Sequence, residues 1–565
     1  MSYRFLSQLT LILPLLLIGT GGIICYSNIF NTFFLSDDFV LLALYSKLGA
    51  WGLWVNQQHG NSLFFRPVLS LISFLDYQLW GLQPWGYHLT NFCFHGMNAI
   101  WVGWIAALLL SNQLNPSITQ RFIPYLASSI FLLLPSHTEP VSWISARTDV
   151  ISTFFSLGSL AFYLVYKKHR KPYIKYTSLL FFFAGLLSKE SIVSFPGIIL
   201  GYEIYEYFFQ KRHRKQINNH LFILGQYLLI LAIYFGLRYW KLKTLVGGYG
   251  EKVHLKFSLQ QVLKNLVIYP TRALLPPHSE AGFNFWFLIF LGLLGILLLS
   301  LIISWFLHSK TSQLPQLLIF LVISFFIAVL PAINVMVSTV DTQGERYLYF
   351  ASGFAAIFLA IVLNVILIQP QITLIISSIL LLYFGLSTYT LNQNWNIAAN
   401  ISQNILESIQ EIQTSQPVLI TSLPDNYKGA YIYRTGLIQG LYLFDKNNRF
   451  DIQFVRQETD KFFEQVQFET EKIKIMMNHE ILEITDTVIV QNLEENTYQC
   501  QLSNSKASFL PWKKYPFQTD LYQINNLQQN QYEFQVINPN DVGYILFYSL
   551  DHLDAVKNIN YSGQK

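Results

Sequence analysis

Apolar runs of membrane-spanning length recur along the chain from residue 8 to residue 391, at 8–30, 89–110, 121–136, 149–166, 175–188, 191–209, 220–240, 283–307, 316–335, 349–368 and 371–391. A crossing needs about 20 such residues for about 30 Å of hydrocarbon, so the pattern predicts about eleven helical spans. The first run is too long for a signal-peptide core and lacks a convincing cleavage site, which makes it a retained helix. The runs at 121–136 and 175–188 are short for a full crossing and are expected to be tilted, broken or shielded by neighbours. Beyond 391 the pattern changes. A helix is expected over 393–413. The stretch 417–444 then reads as a strand, a Pro-Asp-Asn turn and an amphipathic helix. Alternating segments near 451–456, 472–476, 487–491, 533–537 and 543–548 read as strands. The expected fold class is therefore a polytopic α-helical membrane protein carrying a C-terminal soluble α/β or α+β domain, with domains at 1–391 and 392–565.

Composition supports the division. Of 565 residues, 52% are hydrophobic and 12% charged, against about 25% charged in a soluble domain, which excludes disorder and a simple soluble fold. Residues 1–391 hold 24 Lys+Arg and 12 Asp+Glu, whereas 392–565 hold 13 and 20. The basic residues sit beside apolar spans, so nothing speaks for nucleic acid. Cys25 and Cys93 fall in expected spans and Cys500 stands alone in the tail, which indicates neither a disulfide framework nor a metal-binding pair.

Orientation follows from two basic clusters, Lys167, Lys168, Arg170, Lys171, Lys175 and Lys211, Arg212, Arg214, Lys215, which the positive-inside rule places in the cytoplasm. Two spans separate them, so they agree. Counting outward puts the N-terminus inside and the tail outside. Ten of the twelve acids before 391 then map to the outer face, leaving Glu203 and Glu206 toward the cytoplasm. The segment 39–88, with Trp51, Trp54, Trp80 and Trp85, is too broken to cross and suits the interface. The long outer segment 241–282 carries Pro270, Pro276 and Pro277, which argue against one continuous helix.

Ser36-Asp37-Asp38 follows the first span. Adjacent carboxylates at a hydrocarbon boundary repel each other and are partly desolvated, which suits one of them to act as a general base; the competing reading is a solvated acidic loop. Arg66, within FFRP, and Arg147, within WISARTD, are cations in apolar surroundings that need acidic partners or anionic ligands. Lys189-Glu190 and Glu345-Arg346 are oppositely charged neighbours at span ends, and intramembrane ion pairing is their competing role. His137 and Glu139 have metal-ligand chemistry without a clear third ligand; no ligand set is complete, although the outer acids leave room for a divalent cation. His88, Asn91 and His95 share one helix face, where hydrogen bonding between helices is expected.

These residues fall in FFRPVLSLISFLDYQLWGLQPWGYHLTNFCFHGMNAIW (64–101), LLPSHTEPVSWISARTDVIST (133–153), LLSKES (186–191) and GERYLYF (344–350), after the acidic pair. In order and spacing the chain, over about 30–390, resembles the GT-C superfamily of integral membrane glycosyltransferases. Within it the likeness is to the protein O-mannosyltransferase-like group, which includes the membrane halves of the tetratricopeptide-bearing mannosyltransferases. The resemblance implies inverting transfer of a sugar from a polyprenyl-phosphate carrier to a protein or glycan acceptor on the extracytoplasmic face, in a bacterial plasma membrane or, as the alternative, the ER. Asp37 or Asp38 would be the base. Arg66, Arg147, Lys189 and Arg346 would steady the leaving phosphate, with His88, His137, Glu139, Asp149, Glu190 and Glu345 in support. The tail departs from the family, since no tetratricopeptide array follows. A transporter or flippase for lipid-linked or anionic substrates is the competing class. It would call for internal symmetry and charges strung through the membrane depth, and the acids here gather on one face.

Overall fold

The computed structural model describes residues 19–50, 64–111, 122–209, 217–245, 258–307, 314–367, 369–412, 414–445, 453–458, 464–480, 482–494, 496–511 and 515–557. The chain forms two compact units. One comprises Met1–Phe30 with Gly60–Asn392, the other Asn31–His59 with Gln393–Lys565.

The second unit opens with helix α1 (Asp37–Leu48). The first unit is helical: α2 (Pro67–Trp80), α3 (Pro84–Leu110), α4 (Ile123–Leu133), α5 (Arg147–His169), α6 (Pro172–Leu186), α7 (Phe195–Phe209), α8 (Ile217–Leu242), α9 (Leu259–Leu274), α10 (Phe283–Leu307), α11 (Leu314–Val329) and α12 (Tyr349–Ile366). Helix α13 (Pro370–Glu411) follows, and the unit boundary at 392/393 falls within it. Proline opens α2, α3, α4 and α6 within their first turn, where its missing N–H leaves no bond unmade.

Seven helical stretches among the described residues are long and apolar enough to cross a membrane: Pro84–Leu110, Ile144–His169, Leu221–Leu242, Phe283–Ile303, Leu314–Ala332, Glu345–Ile366 and Pro370–Glu411. Three other expected spans appear as the shorter α4, α6 and α7. Helix α4 has 11 residues and rises only about 16 Å, too little to cross alone. The first expected span lies largely outside the described residues, as do Trp51, Trp54 and the cluster Lys211, Arg212, Arg214 and Lys215. Pro270 does not interrupt α9, which runs on to Leu274 and ends before Pro276 and Pro277.

Small residues let the helices approach. A Cβ on Gly103 of α3 would lie 2.9 Å from the Pro124 carbonyl oxygen at the start of α4, and one on Gly158 of α5 would meet the Phe181 ring of α6 at 2.6 Å; such close seams supply the dispersion contact that holds helices together in lipid. Between α9, α10, α11 and α12 lies an apolar cavity of about 160 Å³, lined by Pro270, Leu274, Phe290, Leu297, Phe325 and Phe358 among others.

In the second unit the tail builds an α+β fold. Strands Tyr544–Ser549, Val418–Ile420 and Ile473–Ile475 pair in parallel, and His552–Lys557 closes the sheet as an antiparallel edge. A five-stranded antiparallel sheet runs in the order Phe517–Gln518, Tyr522–Leu527, Gln531–Val536, Thr497–Leu502, Val488–Glu494. In Thr497–Leu502 alternate residues Tyr498, Cys500 and Leu502 face inward, as the two-residue period requires. Helix α14 (Leu437–Phe444) matches the expected amphipathic helix. The C-terminal turns of α13 bury Ala398, Ile401, Ile405 and Ile409, a stripe at helical spacing.

Candidate active site

The candidate residues fall into two sets, one within each unit. In the second unit the acidic pair opens α1. Ser36, immediately before the helix, has φ 46°, an uncommon conformation for a non-glycine residue, and it turns the chain so that both carboxylates enter the first helical turn. There the helix dipole favours negative charge. The two side chains then diverge. Asp38 is 2% exposed, and its Oδ2 accepts the Leu35 backbone N–H at 3.0 Å, so it closes the turn on itself. Asp37 is only partly buried, and its Oδ1 accepts the Thr435 hydroxyl at 2.5 Å. Nearby, Arg434 clasps Asp425 through two hydrogen bonds of 2.9 and 2.6 Å.

In the first unit each of the four candidate phosphate-binding cations sits on a carboxylate. Arg66 holds Glu190 in a fork of 3.0 and 2.6 Å. Burial raises the Glu190 carboxyl, but the Arg66 guanidinium overrides it and holds the group at about 2. Arg147 donates to Asp76 at 2.6 Å and to the Tyr87 carbonyl at 3.0 Å. Lys189 lies 2.5 Å from both oxygens of Asp149. Arg346 pairs with Glu139 through its side chain and donates its backbone N–H to the same carboxylate at 2.9 Å. Burial pushes the Glu139 carboxyl up, and Arg346 pulls it back only in part.

Adjacent charges in sequence thus do not pair with each other. Glu190 and Lys189 turn to Arg66 and Asp149, while Glu345 and Arg346 turn to Arg272 and Glu139. Gly344 makes the second separation possible: its φ is 85°, and a Cβ there would lie 2.9 Å from the Met336 carbonyl oxygen. Tyr347 joins two of the pairs, with Lys189 5.3 Å and Arg346 5.0 Å from its ring centroid. The result is a band of ion pairs from Arg66 through Lys189 and Arg346 to Arg272.

Arg272, fully buried, escaped the sequence argument, although the reasoning applied to Arg66 and Arg147, a cation in apolar surroundings, would have found it. Asp76 was visible only as an outer acid. Thr435 had no signal at all. Among the histidines, His137 Nε2 lies 2.7 Å from Ser352 Oγ. His95 bridges Tyr349 at 2.7 Å and the Leu132 carbonyl at 3.1 Å, and Asn91 donates to the Val141 carbonyl at 3.3 Å. His95 and Asn91 therefore tie α3 to its neighbours as the shared face predicts. His88 is buried on the same face. Among the described residues no three His, Cys, Asp or Glu side chains gather in a way that could hold a metal ion.

No family model matches the chain. Curated proteins do. Over 156 residues the chain is 28% identical to Protein O-mannosyl-transferase F38B6.6 of Caenorhabditis elegans, a match covering 28% of this chain and 21% of that protein. It is 29% identical over 161 residues to Protein O-mannosyl-transferase TMTC3 of Homo sapiens, covering 27% of this chain and 16% of that one. It is 34% identical over 119 residues to Protein O-mannosyl-transferase tmtc2 of Xenopus laevis, covering 21% and 13%. The chain thus matches about a fifth or less of the length of these relatives. Among solved structures it is similar to ArnT from Cupriavidus metallidurans bound to undecaprenyl phosphate, with TM-score 0.44, 12% identity and coverage of 80% of this chain and 87% of that one. It is also similar to the Archaeoglobus fulgidus oligosaccharyltransferase, with TM-score 0.44, 11% identity and coverage of 77% and 63%. The curated proteins it matches are protein O-mannosyl-transferases.

Proposed function

We propose that the protein transfers a sugar from a polyprenyl-phosphate donor to an acceptor hydroxyl on the extracytoplasmic face, with inversion at the anomeric carbon and Asp37 as general base. The observation that carries this reading is the divergence of the acidic pair: Asp38 is buried and committed to the Leu35 N–H, whereas Asp37 keeps part of its surface open.

An alcohol is a poor nucleophile until a carboxylate within hydrogen-bond reach takes its proton. Asp37 accepts that proton as the acceptor oxygen forms its bond to the anomeric carbon. The bond from that carbon to the phosphate oxygen breaks, and its electron pair leaves on the polyprenyl phosphate. The departing group needs positive charge more than it needs a proton. Of the four cations, Arg66 and Arg346 keep 13% and 19% of their side-chain surface, against 1% for Arg147 and 6% for Lys189. Arg66 and Arg346 therefore meet the phosphate, and Arg147 and Lys189 hold the helices that carry them. The apolar cavity between α9 and α12 is of the chemistry that takes a prenyl chain. Glycan and protein acceptors both offer the required hydroxyl. The bacterial plasma membrane is the favoured setting, with the N-terminus cytoplasmic and the tail outside.

The test is transfer of sugar from a synthetic polyprenyl-phosphate donor by the purified full chain. Asp37→Asn should lower kcat by about 10² to 10⁴, while Asp38→Asn that folds should keep most of it. Full activity in Asp37→Asn removes the base assignment. External protease on sealed cells should clip the tail, and protection there overturns the topology.

A further inference from the structure

We propose that Thr435, in the C-terminal tail, is a positioning residue for Asp37, so that the tail completes the catalytic centre of the reaction proposed above. The inference rests on the assignment of Asp37 as the base and adds the device that aims it.

The segment Ile432–Gly436 and the start of α1 are built against each other within the second unit. The Ser36 backbone N–H donates to the Ile432 carbonyl at 2.9 Å. Gly436 has φ 90°, and a Cβ there would stand 2.2 Å from the Ser36 carbonyl oxygen. Only glycine fits so close an approach at that backbone conformation. The rings of Phe39 and Tyr433 stack at 5.8 Å with an interplanar angle of 16°, and the Tyr433 hydroxyl donates to the Ser402 carbonyl on α13 at 2.8 Å. The backbone carrying Thr435 is thus braced on both sides.

Proton counting then orders the hydroxyls. An ionised carboxylate can only accept, so the Thr435 O–H points at Asp37 Oδ1, 2.5 Å away. Ser36 Oγ lies 3.2 Å from Thr435 Oγ1; the Thr435 proton being committed, Ser36 donates to Thr435. The series Ser36 to Thr435 to Asp37 fixes the carboxylate rotamer. The Thr435 hydroxyl supplies direction through a single donated hydrogen bond. Reacting groups must be held close to their productive geometry for the rate to benefit. Nothing in the local sequence around Arg434-Thr435-Gly436 marks it for this task, and its value lies entirely in being folded back some 400 positions along the chain.

The experiment measures kcat and donor KM with the full chain in detergent, using a synthetic polyprenyl-phosphate sugar. Thr435→Val should lower kcat about tenfold or more with KM unchanged, and Thr435→Ser should restore it. In the Asp37→Asn background Thr435→Val should add nothing, because a positioning residue has no effect once its target is gone. If Thr435→Val does not fold, Thr435→Cys keeps the shape and weakens the donor, and it should lie between Val and Ser. An inactive Asp37→Asn beside Thr435→Val, or the Cys variant, at wild-type kcat overturns the positioning role alone. An additive loss in the double variant also overturns it. An active Asp37→Asn instead sinks the base assignment itself, so the two failures are told apart.

Discussion

The two compact units treat ionisable side chains differently. In the helical unit Arg147, Lys189 and Arg272, with exposures of 5% or less, each meet an opposite full charge. In the strand-rich unit Asp37 is met by a hydroxyl and Asp38 by a backbone N–H. His479 is packed between Phe509 and Tyr548, and neither of its ring nitrogens has a hydrogen-bond partner among the described residues. The ion pair of Asp425 with Arg434 in that unit leaves Arg434 with 45% of its side chain exposed. The contrast follows from solvent. In hydrocarbon an uncompensated charge is expensive, so position and partner are dictated together and the charge is spent on architecture.

The comparison can be broken most forcefully at Arg147. Arg147→Ala strands Asp76 in the helical unit and should destabilise the protein by about 3–5 kcal/mol, seen as lost yield and a lower Tm in detergent. Arg147→Met with Asp76→Leu should recover most of it. Recovery of activity together with stability would confine this pair to architecture, and a stable but inactive double variant would return it to the chemistry.

A pH scan probes the strand-rich unit. Burial lowers His479 to about 3 from the usual 6.5. Between those values the unfolded chain binds a proton that the folded one does not, so stability is complete above about 6.5 and falls as pH drops toward 3, by about 5 kcal/mol over the full range. Thermal melts of the full chain across this window should show the loss, and His479→Leu should flatten it. A pH-independent transition in the wild type would contradict the isolation of that imidazole.

Asp38→Asn sharpens the contrast within the acidic pair. It should cost about 1 kcal/mol of stability, the scale of a lost helix-end hydrogen bond, and little transfer activity. The smallest effect is expected from Arg66→Lys, which replaces the fork on Glu190 with a point charge. Donor KM should rise a few-fold, with kcat nearly unchanged.

How much was legible varied by residue. The spans at 89–110, 220–240 and 283–307 were visible because hydropathy alone decides whether a helix can sit in lipid. The strand near 533–537 was visible because a half-buried sheet imposes a two-residue period. Arg66 and Arg147 were recognised as cations in need of partners, whereas Lys189-Glu190 and Glu345-Arg346 were read as oppositely charged neighbours and each member pairs elsewhere. A short helical turn points adjacent side chains in different directions, so sequence adjacency misleads where the backbone turns at Lys189 and Gly344.

The sequence by itself determined that the chain is a multi-pass membrane protein with a strand-bearing C-terminal region, and it marked apolar surroundings in which cations need partners. These are sums over local composition and periodicity, and they need no knowledge of which segments meet. Only the tertiary structure decided that Arg66 takes Glu190, that Arg272 takes Glu345, and that Thr435 reaches Asp37. Each of those choices depends on the backbone path between residues far apart in the chain, and hydrogen bonds and ion pairs act over a few ångströms that no pattern along the chain records.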